Sequence, residues 1–446
     1  MNINIIKKLY EKLPSFIKMF FLKIFRYSLI KNPIFIKTWK ELEEYDRMSI
    51  KEQKNYQLLK LKNILIYSYE NVEYYRELFD KYYFDPYNIK ELTDIEVLPL
   101  LEKDDAVKLG NKLLSNDKKL KYYKIYTGGS SGRFLTVFLE KDSIYKEYAF
   151  IYYFFSKFGY DIKKTKTVAL RAHNHDVDYY LSPMKNEIDI SPFLLFKDNS
   201  INDIVKKIKD FGATWLVGYP SAIYTFAKIV VKEKIDINFE HIIYYSENYY
   251  DDENKFVEKV FGCKADTYYG LSERTCFGEI INNNCEFNKM YGYTELISTE
   301  IPDEYRIICT GFFNKKMPLI RYATDDIIKK CNKKNIIIGH RNKEVCLISK
   351  NGNPITKLDV NSRVKKLDNV KYYQYVQKEI GKVELHIVPI IHLSKKDIKK
   401  IHTYLKKRFE GMLDIEIKIV DSIKLTSKGK YVWAINKINE ESVTQK

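Results

Sequence analysis

At 446 residues the chain is longer than one hydrophobic core serves, so two or more domains are expected, and its 45% hydrophobic and 30% charged content is that of an ordinary globular protein. The net charge of +17 is spread along the whole chain with no long basic block and no zinc-finger spacing, which favours a basic solvated surface over a nucleic-acid site. Cys263, Cys276, Cys285, Cys309, Cys331 and Cys346 form no CxxC pair and have no histidine at metal-ligand spacing, which argues against a zinc site and a disulfide framework and fits free thiols in a reducing cytoplasm.

Residues 17–30 read IKMFFLKIFRYSLI. Lys18, Lys23 and Arg26 interrupt the apolar run, so it is no transmembrane span, and it lacks the small-residue cleavage site of a secretory signal. An amphipathic helix remains. Packing on the domain is the reading adopted, with peripheral contact on the inner membrane face as its alternative. Residues 35–115 are expected to be helical. Over 52–82, Leu58, Leu59, Leu61, Ile64, Leu65 and Tyr67 recur at helical spacing with few breakers. Pro86 and Pro99 punctuate the region, and Leu98-Pro99-Leu100-Leu101 reads as an extended connector.

From residue 120 short apolar runs alternate with amphipathic ones. Strands are expected at 167–170, 214–217 and 240–245, and helices at 221–234 and 251–261. That alternation argues for an α/β domain with a largely parallel sheet. A smaller α/β unit follows after about residue 341. In it, 370–378 and 382–390 flank Glu379-Ile380-Gly381 as a hairpin, 394–410 is a helix capped by Ser394, and 414–420 is a strand. The expected division is an amphipathic segment 1–40, a large domain 41–339 and a small domain 340–446.

The strongest local feature is Tyr126-Thr127-Gly128-Gly129-Ser130-Ser131-Gly132-Arg133. Its glycines let successive backbone N–H groups converge on an anion, and its hydroxyls add donors, which suits a polyphosphate. It is neither a Walker loop nor a dinucleotide fingerprint, since no Gly-Lys-Ser/Thr follows and no dedicated helix opens there. Taken alone, it is equally a Gly/Ser surface loop. Further on come Val217-Gly218-Tyr219-Pro220-Ser221, Tyr245-Ser246-Glu247 and Tyr268-Tyr269-Gly270-Leu271-Ser272-Glu273. Then follow Met317-Pro318-Leu319-Ile320-Arg321-Tyr322-Ala323-Thr324-Asp325-Asp326, Gly339-His340-Arg341 and Lys428-Gly429-Lys430. Each has a plain alternative: Glu273 as a surface acid after a turn, Asp325 and Asp326 as caps of a helix or turn, Arg321 as a partner of one of them, Lys430 as one lysine among many. His173 and His175 lack a third ligand at metal spacing and read as loop or pocket lining.

In this order and spacing, the motifs resemble those of the adenylate-forming superfamily, and most of all its phenylacetate–CoA ligase and CapK-like branch. The resemblance covers nearly the whole chain from about residue 40. Residues 57–79 and Leu98-Pro99-Leu100-Leu101-Glu102-Lys103-Asp104 are similar to that branch's N-terminal helical region. It implies a large α/β adenylate-forming domain with mixed and parallel sheets and flanking helices, followed by a small mobile α+β lid domain. It also implies a cytoplasmic enzyme that activates a small carboxylic acid with ATP and Mg²⁺ as an acyl-adenylate. The acyl group then passes to an acceptor, often coenzyme A in that branch, and CapK-like members are associated with capsule or surface polysaccharide synthesis.

The resemblance also assigns roles. Thr127, Gly128, Gly129, Ser130, Ser131, Gly132 and Arg133 would hold the phosphates, and Glu273 the magnesium. Tyr269 and Gly270 would lie against the adenine, with Ser272 and Glu247 in the same nucleotide site. Asp326 would accept from the ribose hydroxyls, and Arg341 would reach the ribose or the phosphates. Lys430, on the mobile domain, would bind the reacting carboxylate and the α-phosphate. Residues 171–193 and the turn 218–224 are the candidates for acyl-pocket walls. Some positions depart from the pattern. Arg133 stands after Gly132 where Gly-x-Pro is common, Asp325 replaces the glycine of Thr-Gly-Asp, and His340 is an addition near the hinge, which falls at Lys343 or Glu344. Two other readings compete: an adenylation-independent acyl-transfer protein of the acyl-protein synthetase type, and a basic RNA- or membrane-binding protein that has kept the fold only. The first needs a nucleophile beside a base, and no cysteine has one nearby in sequence. The joint presence of Glu273, Asp326 and Lys430 speaks against the second.

Overall fold

The structure is a computed structural model that describes residues 29–127, 135–171, 178–182, 186–191, 194–195, 200–245, 251–337, 345–356, 370–389, 392–409, 411–423 and 434–438. The chain divides into two compact units, residues 1–125 with 136–339, and residues 126–135 with 340–446.

The first unit opens with helices. α1 (Pro33–Arg47) starts behind Asn32, whose side chain accepts from the N–H groups of Ile34 and Phe35 at 2.9 and 3.3 Å. α2 (Ile50–Asn71) starts behind Ser49, which forms a capping box with Glu52. The expected helix over 52–82 is broken: it stops at Val72, and α3 (Glu73–Lys81) follows. Val72 is extended (φ −126°, ψ 115°) and wholly buried, so its β-branched side chain plugs the core at a bend rather than lining a helix. Leu61, Ile64 and Leu65 are buried as the spacing predicts, whereas Leu59 faces solvent. The connector before residue 101 is extended and ends in β1 (Leu101–Glu102), which leads into α4 (Lys103–Leu109). β2 (Tyr122–Tyr126) and β3 (Thr136–Glu140) make a small sheet, and α5 (Ser143–Ser156) follows.

The centre of this unit is an eight-stranded sheet. It is built by β4 (Thr167–Leu170), β5 (Tyr179–Leu181), β6 (Glu187–Ile190), β7 (Trp215–Gly218), β8 (His241–Tyr244), β9 (Ala265–Gly270), β10 (Phe277–Ile281) and β11 (Asn284–Phe287). Helices α6 (Ser200–Phe211), α7 (Pro220–Lys232) and α8 (Asp251–Phe261) alternate with the central strands. The spatial order is β11-β10-β9-β8-β7-β4-β6-β5. β9, β8, β7, β4 and β6 run parallel, and the outer strands antiparallel. Alternate residues fill two cores. Val168, Leu170, Leu216 and Ile242 pack with Ile204, Phe226 and Phe261. Ala169, Trp215, Val217 and Ile243 pack with Phe35, Phe150 and Phe154 on the other face. Burial on both faces is why these strands read as short unbroken apolar runs.

A second, mostly antiparallel sheet holds β1 with β12 (Gly292–Ser298), β13 (Glu304–Gly311), β14 (Tyr322–Cys331) and β15 (Lys334–Ile337). Gly292 and Gly311 pair across β12 and β13. A Cβ at Gly292 would meet the Thr275 carbonyl oxygen at 2.5 Å, and one at Gly311 the Arg274 carbonyl oxygen at 2.9 Å. The backbone after β9 therefore passes directly against this sheet.

In the second unit, β16 (Val345–Ile348) pairs with β17 (Pro354–Thr356). A four-stranded sheet holds β18 (Val370–Glu379), β19 (Lys382–Pro389), β20 (Asp414–Ile419) and β21 (Ala434–Asn436) in the order β20-β19-β18-β21. β18 and β19 form the expected hairpin. α9 (Lys395–Arg408) is capped by Ser394, whose Oγ donates to the Asp397 carboxylate at 2.6 Å and accepts the Asp397 N–H at 3.2 Å. Ile401, Leu405 and Phe409 are buried with Tyr375 and Leu385 of the sheet. The fold class is the expected one, a large α/β unit of mixed and parallel sheets with flanking helices and a smaller α+β unit. No described helix is long and apolar enough to cross a membrane. Residues 17–28 of the amphipathic segment lie outside the described residues.

Candidate functional site

Open α/β sheets place ligands at the carboxyl ends of their strands. The motif ending in Glu273 occupies that position: Tyr269 and Gly270 close β9, and Glu273 follows in the turn. The second motif begins β14, in the other sheet. Two hydrogen bonds tie the segments reciprocally. The Tyr269 hydroxyl donates to Asp326 at 2.8 Å, and the Tyr322 hydroxyl donates to Glu273 at 2.9 Å. Burial, then the neighbouring Asp326, pushes the Tyr269 hydroxyl well up; burial, then Glu273, does the same at Tyr322. Both phenols therefore stay protonated and act as donors.

Glu273 is no surface acid. It is 6% exposed, and among the described residues Tyr322 is its one side-chain donor, on Oε1. A buried carboxylate with an oxygen to spare is under-coordinated, and hard oxygen donors of this kind suit a divalent cation. Asp326 is half-buried. Its N–H donates to Thr324 Oγ1 at 3.2 Å, and that hydroxyl donates to the Ile307 carbonyl at 2.8 Å, which fixes the turn of the chain beneath the acid.

The alternative pairing of Arg321 with Asp325 or Asp326 does not occur among the described contacts. Arg321 has a left-handed backbone (φ 49°), and its buried guanidinium pairs with Glu295 at 2.6 Å. It also donates to the carbonyls of Glu96, at 2.7 Å, and Leu98. A buried carboxylate left without its cation is costly, so Glu295 is the partner that holds Arg321. Asp325 instead faces Lys103 at 3.6 Å.

Arg274, directly after the motif acid, went unmarked in the sequence. It too is left-handed (φ 55°), and its Nη1 donates to Ser143 Oγ on α5 at 2.8 Å. Its Nε lies 4.0 Å from Glu147, a carboxylate that also accepts from the Tyr291 hydroxyl. Burial raises the Glu147 carboxyl, and the charge of Arg274 opposes that rise. The side chain thus pins the turn that carries Glu273 to α5.

Thr127 is buried, and its bonds stay within its own loop: its N–H donates to the Leu135 carbonyl at 3.0 Å, and its Oγ1 accepts the Leu135 N–H at 3.1 Å. These two bonds close the neck of the Gly/Ser loop. Gly270 is exposed, and open space lies where its Cβ would be. Ser272 is half-buried. Gly128, Gly129, Ser130, Ser131, Gly132, Arg133, Glu247, Arg341 and Lys430, with His173 and His175, lie outside the described residues.

Among the described residues no group of three or more His, Cys, Asp or Glu is placed to hold a metal by protein ligands alone. Cys276, Cys285 and Cys309 lie in an apolar core with Ile307 and Ile328. Burial raises the thiols of Cys276 and Cys285, and that of Cys263 to about 12. Thiols held that high are protonated and poor nucleophiles, which weighs against a cysteine acyl carrier.

Residues 347–437 match the family model of the CapK C-terminal domain. Protein CapK of Staphylococcus aureus is 27% identical over 439 residues, covering 92% of this chain and 96% of that protein. Among solved structures, 2-hydroxyisobutyryl-CoA ligase in complex with 2-HIB-AMP and CoA matches with a TM-score of 0.55 at 16% identity, over 89% of this chain and 93% of that one. The same ligase in the postadenylation state with R3-HIB-AMP matches with a TM-score of 0.54 at 14% identity, over 89% and 92%. At that identity the likeness is one of fold. The chain is therefore similar in sequence to CapK, with its C-terminal part matching the CapK C-terminal domain, and similar in fold to this ligase.

Proposed function

We propose that the protein activates a carboxylic acid with ATP, giving an acyl-adenylate and pyrophosphate. The observation that carries this reading is the reciprocal latch of Tyr269 on Asp326 and Tyr322 on Glu273. It sets two acids from two sheets, each already oriented by a phenol, beside the exposed Gly270. Asp326 is assigned to the ribose hydroxyls, and Tyr269 and Gly270 to the adenine, with Ser272 and Glu247 in the same nucleotide site. Glu273 fits Mg²⁺, because it is buried and has only one side-chain donor among the described residues. The ion would neutralise phosphate charge there.

The rest falls to the chain's own groups. The loop 127–133 holds the phosphates on converging N–H groups, with Arg133 adding charge and the Thr127 neck holding its ends together. Arg341 reaches the ribose or the phosphates. Lys430, in the small domain 340–446, binds the reacting carboxylate and the α-phosphate, the role that the resemblance gives to a mobile domain, with 41–339 as the large domain. A carboxylate oxygen attacks the α-phosphorus, its bond to the bridging oxygen breaks, and pyrophosphate leaves. Catalysis here is alignment and charge stabilisation.

The acyl group then passes to an acceptor, and we assign coenzyme A to that place. The fold shared with a ligase crystallised with an acyl-AMP and CoA supports this assignment. A cytoplasmic role in capsule or surface polysaccharide synthesis is part of the same proposal and rests on the resemblance of the motifs to the CapK-like branch. Lys430→Ala tests the scheme by separating the half-reactions. Adenylate formation in a single turnover should fall by about 10²-fold or more, while transfer from preformed acyl-adenylate persists. Survival of both half-reactions would remove Lys430 from the reaction.

A further inference from the structure

The residues that follow β4, β7 and β8 are Arg171, Tyr219 and Tyr245. They stand abreast. Leu170, Gly218 and Tyr244 are in register, and the Tyr219 N–H to Leu170 and Tyr245 N–H to Gly218 bonds, both 3.2 Å, carry the ladder one step further. The next strand in the sheet is β9, which ends in Tyr269 and Gly270. This row therefore continues the sheet edge on which the nucleotide reading stands.

Arg171 is held through a single nitrogen. Its Nη2 donates to Glu187 at 2.5 Å and to Asp189 at 2.6 Å, two carboxylates at alternate positions of β6 that point to one face. The guanidinium is fixed in place, its Nε and Nη1 meet no acceptor among the described residues, and the side chain is 23% exposed. Beside it the Tyr245 hydroxyl is buried and has no hydrogen-bond partner among the described residues. Burial pushes that hydroxyl well up against the opposing charge of Arg171, so it is a protonated donor. The Tyr219 ring meets the Tyr245 ring edge-on at 5.8 Å. A buried hydroxyl without a partner is costly to keep and calls for an acceptor.

We propose that Arg171 and Tyr245 are specificity-determining residues of the acyl site, selecting carboxylic acids that carry a neutral oxygen function, a hydroxyl or a carbonyl, on the chain. The identification of this edge as an acyl site rests on the adenylation reading. Arg171 only donates and the Tyr245 phenol is a donor, so the ligand group must accept. A second carboxylate would add negative charge beside Glu187 and Asp189, and an ammonium would face the guanidinium. A hydroxyl or carbonyl oxygen meets neither penalty.

The test is calorimetric binding of paired acids to the full chain without nucleotide: lactate against propionate, β-hydroxybutyrate against butyrate, mandelate against phenylacetate. At least one oxygen-bearing member should bind about tenfold or more tightly than its partner. Tyr245→Phe, which removes only an unpartnered hydroxyl and should fold normally, should erase about fivefold of that preference and leave the unsubstituted acid's affinity unchanged. Arg171→Lys keeps the charge opposite Glu187 and Asp189 but loses the planar fork, and should lower the preference as well. Equal binding within every pair, binding of no acid, or a preference that survives Tyr245→Phe overturns the proposal. Titration of Mg–ATP into the same protein separates the two ideas: failure of nucleotide binding sinks the adenylation reading and leaves acid selectivity standing.

Discussion

Glu273 and Tyr322 are joined by one hydrogen bond in a buried setting, and the two groups need each other for opposite reasons. The carboxylate lacks water, and the phenol would otherwise bury an unused proton. Tyr322→Phe leaves Glu273 with no side-chain donor among the described residues. A lost bond to a charged group costs about 1.5–3 kcal/mol, and urea unfolding should register a loss of that size. Such pairings were only half legible. The acids of the two motifs stood out by order and spacing, but their tyrosine partners sit in the other motif, 57 and 49 residues away. Arg321 shows the same limit: Asp325 and Asp326 are its near neighbours in sequence, yet it pairs with Glu295 across the sheet. Arg274 carried no sequence signal at all, because its importance lies in a left-handed backbone and an anchor on α5.

At the scale of elements, the strand Thr167–Leu170 and the helix Asp251–Phe261 fall where the apolar pattern puts them, because both bury continuous or stripe-like surfaces. The break at Val72 escaped the pattern, since no glycine or proline marks it and the bend serves core packing. The strands of the second sheet carry no clear period of their own in the sequence. β12 alternates irregularly, and Gly292, which looks like a breaker, is there because the backbone at Thr275 leaves no room for a side chain. Within the second unit, β19 and β20 are joined by a charged cluster. Lys418 donates to Glu384 at 2.8 Å, and His386 meets the same carboxylate at 2.8 Å. Lys418 first, then His386, holds the Glu384 carboxyl down to about 2. A carboxyl depressed on folding adds stability above its unfolded value near 4.5 and loses it as pH falls through about 2. Carbon-detected NMR titration should place the Glu384 midpoint near 2 in the native protein. In Lys418→Met it should rise toward the ordinary carboxylate range.

For the whole molecule, composition set broad limits and motif order pointed to a family resemblance. The charge of +17 narrowed little, because lysines distributed over a surface leave the partner undefined. Ordered weak motifs did more than any one of them: the Gly/Ser loop alone is ambiguous, and the acids alone have structural alternatives. The fold and the likeness to CapK agree with that combined reading. What stayed hidden is what depends on contacts between distant segments: the tyrosine latches, the anchor of Arg274 and the row formed by Arg171, Tyr219 and Tyr245. Exchange of labelled pyrophosphate into ATP, dependent on added acid, tests the central claim most directly. With Mg²⁺ present, at least one of a panel of hydroxy, oxo, aryl, fatty and amino acids should drive exchange, and Glu273→Gln should abolish it. No exchange with any acid, or exchange undiminished in Glu273→Gln, would contradict the account.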